Sequence, residues 1–227
     1  MGRRGLTSAL LAAPKATPTR ERRAGRARRL GILGGTFDPP HVGHLWLAAL
    51  AADAHDLERV LFMPAAQPPH KGGRLISRSP DRLLLTRLAI GSDPAFELWP
   101  IEMERTGPSY TIDSVVELKR AHPDARLFLV MAADSLAQID TWRDPDRLLG
   151  EVEWIVGPRP GSELPDQAGL KDRFGNGASR IHLLSGPSLD VSSSDIRRRV
   201  AAGHTIRYLV PRNVEELIID RGLYRRG

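Results

Sequence analysis

The sequence predicts an α/β fold with a doubly wound, mainly parallel sheet and helices on both faces. Short apolar runs alternate with segments of helical composition along most of the chain, as in proteins built from strand–helix–strand units. The run over residues 126–131 is almost continuously apolar, which is typical of a strand covered on both faces. Residues 30–50 pass from an apolar run through a glycine turn into an Ala- and Leu-rich segment. This order of strand, turn and helix indicates a Rossmann-like sheet.

The individual elements follow from apolar runs and from helix start signals. Ser79, Pro80 and Asp81 predict a helix start with a cap, a proline at the first helical position and an acid in the first turn. Residues 162–178 are predicted to be a surface insertion. The predicted strands are 30–33, 59–63, 96–101, 126–131, 153–156 and 181–184, and the predicted helices begin near residues 41, 79, 110, 192 and 212.

The positive charge of the chain belongs to its N-terminal end. Of the 33 basic and 27 acidic residues in the chain, residues 1–29 hold nine basic residues and one acid, Glu21. The remainder has 24 basic and 26 acidic residues, and so lacks a positive excess for nucleic acid. Because residues 1–29 lack a periodic apolar face, we expect a basic, disordered tail ahead of one domain over residues 30–227. A transit peptide is the alternative that the Arg-rich composition leaves open.

The composition also excludes several chemistries. The sequence contains no cysteine, which excludes disulfides, thiolate chemistry and cysteine-bound zinc. No apolar run approaches the roughly 18 residues that a membrane span needs. We therefore expect a cytoplasmic protein without a membrane partner. The sequence leaves the oligomeric state open, a homo-oligomer included.

The glycine turn after the first strand is the first candidate site. Gly34 and Gly35 let the backbone approach a ligand closely, and the helix that follows presents its N–H groups and positive dipole end to an anion. His41 and His44 are three residues apart and lie on one face of its first turn. The glycines lack the G-x-G-x-x-G spacing of dinucleotide-binding dehydrogenases. The pattern indicates a phosphate site in which two histidines meet developing charge.

Two further motifs follow predicted strands at the same edge of the sheet. Asp134 comes after the fourth strand, where its carboxylate could accept hydrogen bonds from ribose hydroxyls or cap a helix. Ser192, Ser193 and Ser194 begin a helix with Arg197 one turn later, which is an anion site by composition. Serine runs also cap helices that bind no anion.

The run over residues 34–44, GGTFDPPHVGH, resembles the signature of the nucleotidyltransferases that carry HxGH, and among them bacterial nicotinate-mononucleotide adenylyltransferases. The resemblance extends over residues 30–227. The chain has four further segments that are similar to motifs of this family: PPHK at 68–71, PSYT at 108–111, RPG at 159–161 and GLY at 222–224. Ala132 stands where the family has a glycine, and Val191 and Ser194 also depart from its pattern.

The resemblance implies an enzyme of NAD biosynthesis that joins ATP and nicotinate mononucleotide to give nicotinate adenine dinucleotide and pyrophosphate. The implied catalytic residues are His41, His44 and Arg197. The implied ATP-binding residues are Gly34, Gly35, Thr36, Phe37, His41, His44, Asp134, Ser192, Ser193, Ser194 and Arg197. The implied mononucleotide-binding residues are Thr36, Lys71, Tyr110, Thr111, Ile112, Trp142 and Arg143. In the family, the tryptophan equivalent to Trp142 stacks on the pyridine ring. Backbone N–H groups equivalent to those of Ile112 and Arg143 bind the carboxylate of that ring.

This chemistry needs no base from the protein. The second pKa of a phosphate monoester is about 6, so the attacking mononucleotide phosphate is already anionic. We expect Mg²⁺ to arrive with ATP and to be held mainly by phosphate oxygens, without a metal site built by the chain. Phosphopantetheine adenylyltransferases and cytidylyltransferases are the alternatives within this chemistry. A non-catalytic nucleotide-binding regulator is the alternative of another class.

Overall fold

A computed structural model describes residues 27–67 and 76–225. Its strands are β1 (Arg29–Gly35), β2 (Arg59–Pro64), β3 (Phe96–Leu98), β4 (Arg126–Ala132), β5 (Glu153–Gly157) and β6 (Ile181–Leu183). Its α-helices are α1 (Val42–Ala54), α2 (Ser79–Ile90), α3 (Thr111–Ala121), α4 (Ala133–Ala137), α5 (Pro145–Glu151), α6 (Gln167–Phe174), α7 (Ser193–Ala201) and α8 (Arg212–Asp220). The strands form one sheet in the order β3-β2-β1-β4-β5-β6. The predicted Rossmann-like α/β fold is confirmed.

The strand order determines where a ligand can bind. β1 pairs in parallel with β2 on one side and with β4 on the other, and the remaining pairs are parallel as well. The chain therefore runs outward from β1 to one edge, returns to the centre at β4 and then runs to the other edge. Open α/β sheets bind ligands at this point of reversal, outside the carboxyl ends of the strands.

Both faces of the sheet are covered, as the apolar strand over residues 126–131 predicts. Leu127, Leu129 and Met131 of β4 belong to one core cluster, which includes residues of α3, α5 and α6. Phe128 and Val130 point to the opposite face and pack with α1. A third cluster joins α2, α7 and α8. Because alternate side chains of β4 enter different cores, the strand is apolar at every position after Arg126.

The prediction of a surface insertion over residues 162–178 was wrong. This segment contains α6, whose Leu170 side chain is fully buried. Parallel neighbours such as β5 and β6 need a crossover between the end of one strand and the start of the next, and α6 lies in that crossover. The helix shows little periodicity in the sequence because Leu170 is its one fully buried side chain.

Three local boundaries also differ from the predictions. Arg28 and Arg29 belong to the fold and not to the basic tail: β1 begins at Arg29, and Arg28 donates to the Glu58 carboxylate at 3.1 Å. The rest of the predicted tail, residues 1–26, lies outside the described residues. Ser79 is the first residue of α2 and not its cap. The third strand ends at Leu98 because a 3₁₀ turn over Ile101–Glu104 follows.

Arg82 on α2 connects the ends of two neighbouring strands. Its side chain is 1% exposed. One guanidinium nitrogen donates to the carbonyls of Thr36, after β1, at 2.8 Å and of Ala65, after β2, at 2.6 Å. The other nitrogens donate to the carbonyls of Ala66 at 3.0 Å and Ser77 at 3.1 Å. Arg82 therefore fixes the loops on which a ligand at this edge of the sheet would rest.

We expect Arg82→Met to lower the free energy of unfolding by about 3–5 kcal/mol, because it removes a buried cation that donates to four carbonyl groups. Urea denaturation measures this loss. The matched control is Arg120→Met on the exposed face of α3, which should change stability by less than about 0.5 kcal/mol. Equal stability of the two variants would contradict the role assigned to Arg82.

Candidate active site

A cavity of about 510 Å³ opens at the carboxyl ends of β1 and β4. The residues from the glycine turn, the helix after β4 and the serine motif that line it are Gly34, Gly35, Thr36, His41, His44, Asp134, Ser192, Ser193, Ser194 and Arg197. From the predicted mononucleotide side, Tyr110, Thr111, Trp142 and Arg143 line the same cavity. Lys71 lies outside the described residues. Motifs from Gly34 to Arg197 thus meet in one place, at the point where the strand order reverses.

The prediction that Phe37 lines the ATP site needs correction for its side chain. Phe37 is buried and its ring lies edge-on to His44, with 5.0 Å between the ring centroids. A Cβ at position 35 would lie 2.9 Å from the Phe37 ring, so Gly35 makes room for Phe37. Gly34, which is exposed, is the glycine that leaves the backbone open to the cavity. The buried Phe37 ring therefore packs against His44 and supports it in the site.

The two histidines lie side by side at the start of α1, as their spacing predicts. The His41 backbone N–H donates to His44 Nδ1 at 3.2 Å, and the ring centroids are 3.7 Å apart. The side chain of His41 is 3% exposed, and its Nδ1 has no hydrogen-bond partner among the described residues. A buried polar atom without a partner is costly, which is consistent with a ligand completing this site.

Burial removes the charge that the sequence suggested for His41. Desolvation, followed by the positive charge of Arg159, lowers the pKa of His41 to about 3. The imidazole is therefore neutral at pH 7 in the protein alone. It meets an incoming phosphate as a hydrogen-bonding group and not as a cation, so positive charge must come from other residues.

The serine motif is bonded directly to the turn before α1. Ser192 caps α7 with its hydroxyl. The Ser193 hydroxyl donates to the Pro39 carbonyl at 2.8 Å, and Arg197 Nη1 donates to the Asp38 carbonyl at 2.6 Å. The N-termini of α1 and α7 are thereby held together at one cavity wall. Two positive dipole ends and one cation at this wall favour a polyanion.

A carboxylate beneath this wall connects it to the C-terminal end of the chain. Asp38 is buried and accepts from the Tyr224 hydroxyl at 2.7 Å and from the Ser77 backbone N–H at 3.2 Å. Burial, together with the charge of Asp38, raises the pKa of Tyr224 far above its ordinary value. The C-terminal Gly-Leu-Tyr motif thus supports the turn that leads to His41. Its sequence alone gave it no role.

Arg159 is a cation of the cavity that the sequence analysis left without a role. Arg159 Nε lies 3.8 Å from the Asp134 carboxylate, and Nη1 donates to the Val191 carbonyl at 3.1 Å. Asp134 also accepts from the Ser135 N–H at 3.0 Å in the first turn of α4. Arg159 follows β5 at the same sheet edge, which is the one signal that could have identified it.

The opposite wall of the cavity is aromatic and contains a helix start. Tyr110 precedes α3, and no side chain caps the N-terminus of that helix. The Arg143 guanidinium lies 4.7 Å from the centre of the Tyr110 ring, and Trp142 packs beside it against the core. The Ile112 side chain is buried in the core, so this residue can reach the cavity only through its backbone.

The described residues contain neither a metal-binding cluster nor a membrane-spanning helix. No three His, Cys, Asp or Glu side chains in residues 27–67 and 76–225 are grouped so that they could hold a metal ion. No helix in that part of the chain is long and apolar enough to cross a membrane.

Comparison with known proteins identifies the family. The model of the cytidylyltransferase-like family matches residues 32–199, which places the chain among nucleotidyltransferases of that class. The probable nicotinate-nucleotide adenylyltransferase of Thermomicrobium roseum is 45% identical, with 87% of this chain and 92% of that protein covered. That of Moorella thermoacetica is 43% identical, with 88% and 93% covered. The chain therefore belongs to the nicotinate-nucleotide adenylyltransferase family.

Solved structures agree on the fold. The nicotinic acid mononucleotide adenylyltransferase of Plasmodium falciparum, complexed with APC, superposes with a TM-score of 0.71. It is 17% identical, and the match covers 87% of this chain and 97% of that one. The same protein complexed with NaAD gives the same TM-score. At this identity the likeness shows the architecture alone.

We expect Gly43→Ala to displace His41. A Cβ at position 43 would lie 2.9 Å from Val191 Cγ1 and 3.1 Å from His41 Nδ1, so the ring must move. The loss of one placed hydrogen-bonding group should lower kcat/KM for pyrophosphate release by about 10²-fold. The control is Gly150→Ala on α5, where an added Cβ meets nothing within 4 Å. Full activity of Gly43→Ala would show that His41 does not need its present place.

The neutral state of His41 also predicts how stability depends on pH. Its pKa is about 3 in the folded protein and 6.5 in a model peptide, so the unfolded chain binds the proton first. The stabilisation is complete above pH 6.5 and is lost towards pH 3, by about 1.4 kcal/mol per pH unit. Unfolding free energies of His41→Asn should therefore fall less steeply below about pH 6 than those of the wild type.

The exposed histidine variant His204→Asn is the control for this measurement. It should keep the wild-type slope, whereas His41→Asn should lose part of it. Identical slopes for the wild type and His41→Asn would contradict the neutral state assigned to His41.

Proposed function

We propose that this chain transfers the adenylyl group of ATP to nicotinate mononucleotide, giving nicotinate adenine dinucleotide and pyrophosphate in NAD biosynthesis. The observation that carries the proposal is that an anion-binding wall and an aromatic wall face one cavity at the reversal point of the sheet. The names of the close relatives give the same acceptor. Because the step uses ATP, we place it in the cytoplasm.

ATP would bind at the anion-binding wall. The N-termini of α1 and α7 supply N–H groups and positive dipole ends for the triphosphate. Arg197 supplies a cation whose position is fixed by its bond to the Asp38 carbonyl. His41 supplies a neutral hydrogen-bonding group, and Asp134 supplies acceptors for ribose hydroxyls. Arg159 lies between Asp134 and His41 and adds positive charge to the same wall.

The mononucleotide would bind at the aromatic wall with its phosphate towards ATP. An oxygen of this phosphate attacks the α-phosphorus of ATP, the bond from that phosphorus to the bridging oxygen of the β-phosphate breaks, and pyrophosphate leaves. No base is needed, because the second pKa of a phosphate monoester is about 6. Catalysis therefore consists of positioning two anions and stabilising the charge of the transition state, the role we assign to His44 and Arg197.

Mg²⁺ would accompany ATP as part of this substrate. The carboxylates near the cavity are already engaged, since Asp134 pairs with Arg159 and Asp38 is buried under Tyr224. The groups that face the triphosphate are thus hydroxyls, N–H groups and cations. This donor set fits an ion that keeps waters and phosphate oxygens as ligands, and when bound it would neutralise part of the phosphate charge.

We expect kcat/KM for nicotinate mononucleotide to exceed that for nicotinamide mononucleotide by about 10²-fold or more. The N–H groups at the start of α3 and that of Arg143 can each form a charge-assisted bond to the nicotinate carboxylate, at roughly 1.5–3 kcal/mol each before desolvation. The uncapped helix start attracts the same negative charge. Pyrophosphate release with ATP and each acceptor measures the ratio.

Trp142→Ala is the matched variant for this experiment. Stacking does not sense the charge of the ring substituent, so this variant should weaken both acceptors and keep most of the preference. Equal use of the two acceptors by the wild type would contradict the assignment of nicotinate. Release with phosphopantetheine and not with either pyridine nucleotide would favour the alternative acceptor class.

A further inference from the structure

Glu102 is a buried acidic residue of the cavity wall that the proposed mechanism does not use. It lies in the 3₁₀ turn over Ile101–Glu104, is 3% exposed and lines the cavity beside Tyr110 and Thr111. Burial raises the pKa of Glu102, against hydrogen bonds from Ser114 and Ser109. Burying a carboxyl group is costly unless its oxygen atoms have hydrogen-bond partners.

Two serine hydroxyls converge on this carboxyl group. The Ser114 hydroxyl donates to Glu102 Oε1 at 2.8 Å, and the same Ser114 oxygen accepts from Arg105 Nη1 at 3.0 Å. The Ser109 hydroxyl also lies near Glu102, and its oxygen accepts from the Ala66 N–H at 3.0 Å. Because the Ser114 oxygen already accepts from Arg105, its proton turns to Glu102. The position therefore calls for a side chain with an acceptor atom that faces Ser114.

These bonds tie together three segments of the mononucleotide side. Ser109 precedes Tyr110 at the start of α3, and Ser114 lies one turn further along that helix. The Ser109 backbone N–H donates to the Gln67 carbonyl at 3.1 Å, in the loop after β2. Glu102 thus joins the first turn of α3 to the turn after β3, and Ser109 joins the residues before α3 to the loop after β2.

We propose that Glu102 is a positioning residue for the mononucleotide. By accepting from Ser114, with Ser109 beside it, Glu102 holds the start of α3 where the N–H groups of that helix meet the carboxylate of the pyridine ring. This inference rests on the proposed function, because it concerns how the acceptor is bound. The ATP side has separate bonds, from Ser193 and Arg197 to the turn before α1, and does not depend on Glu102.

The decisive variant is Glu102→Gln, which keeps the size of the side chain and one acceptor atom but replaces the other with a donor. We expect KM for nicotinate mononucleotide to rise by about 10-fold, while KM for ATP and kcat change by less than about 3-fold. Titration calorimetry with nicotinate mononucleotide alone should show a matching loss of affinity. Glu104→Gln, at an exposed position of the same turn, is the control and should behave as the wild type.

Ser114→Ala is the second variant and removes the hydrogen bond to Glu102 with little change in volume. It should show the same separation of the two KM values, also in case Glu102→Gln fails to fold. An equal rise of both KM values with a lower Tm, or no change in either, would overturn the role of Glu102. A wild-type chain that releases no pyrophosphate with nicotinate mononucleotide would instead overturn the proposed function.

Discussion

The site depends on a buried guanidinium that takes the place of further sheet hydrogen bonds. Beyond the ends of β1 and β2 the ladder stops, and the carbonyls of Thr36 and Ala65 need other donors. Arg82 supplies them in the fixed geometry of one planar group. Burial lowers its pKa and the charge of nearby Asp38 opposes that shift, yet a guanidinium stays protonated in proteins. Cation, carbonyls and carboxylate therefore stabilise one another.

Burial also divides the work of the polar groups at the anion-binding wall. Burial keeps the imidazole of His41 neutral in the protein alone, and the positive charge of Arg159 lowers the pKa of His41 further. The cations Arg197 and Arg159 retain partners near the surface of the cavity. The wall can therefore place a neutral donor close to the phosphates and keep full charges further out. Such an arrangement lowers the repulsion that a charged His41 beside Arg197 and Arg159 would cause before ATP binds.

The sequence predicts features that are local and misses those that depend on distant partners. Apolar runs identify the strands, and short motifs identify the histidine pair and the serine helix start, because each is complete within about a dozen residues. Arg82 reads as an ordinary helical arginine, since its partner Thr36 is 46 positions away. Glu102 directly follows a predicted strand, and nothing in its sequence context shows that the hydroxyl of Ser114 donates to it. The sequence does not predict the α6 crossover, because a single buried apolar residue, Leu170, produces no helical periodicity.

The same contacts explain how the anion-binding wall and the aromatic wall, which come from different parts of the chain, are connected. From Arg82, one bond leads to Thr36 and the turn before the histidines, and another leads to the carbonyl of Ala66. The N–H of Ala66 donates to the Ser109 hydroxyl, which lies near Glu102 beside the aromatic wall. In-line transfer requires the two phosphate groups to approach within about 3–3.5 Å. Contacts that run from one wall to the other, with the buried guanidinium of Arg82 among them, hold the two walls in place for that approach.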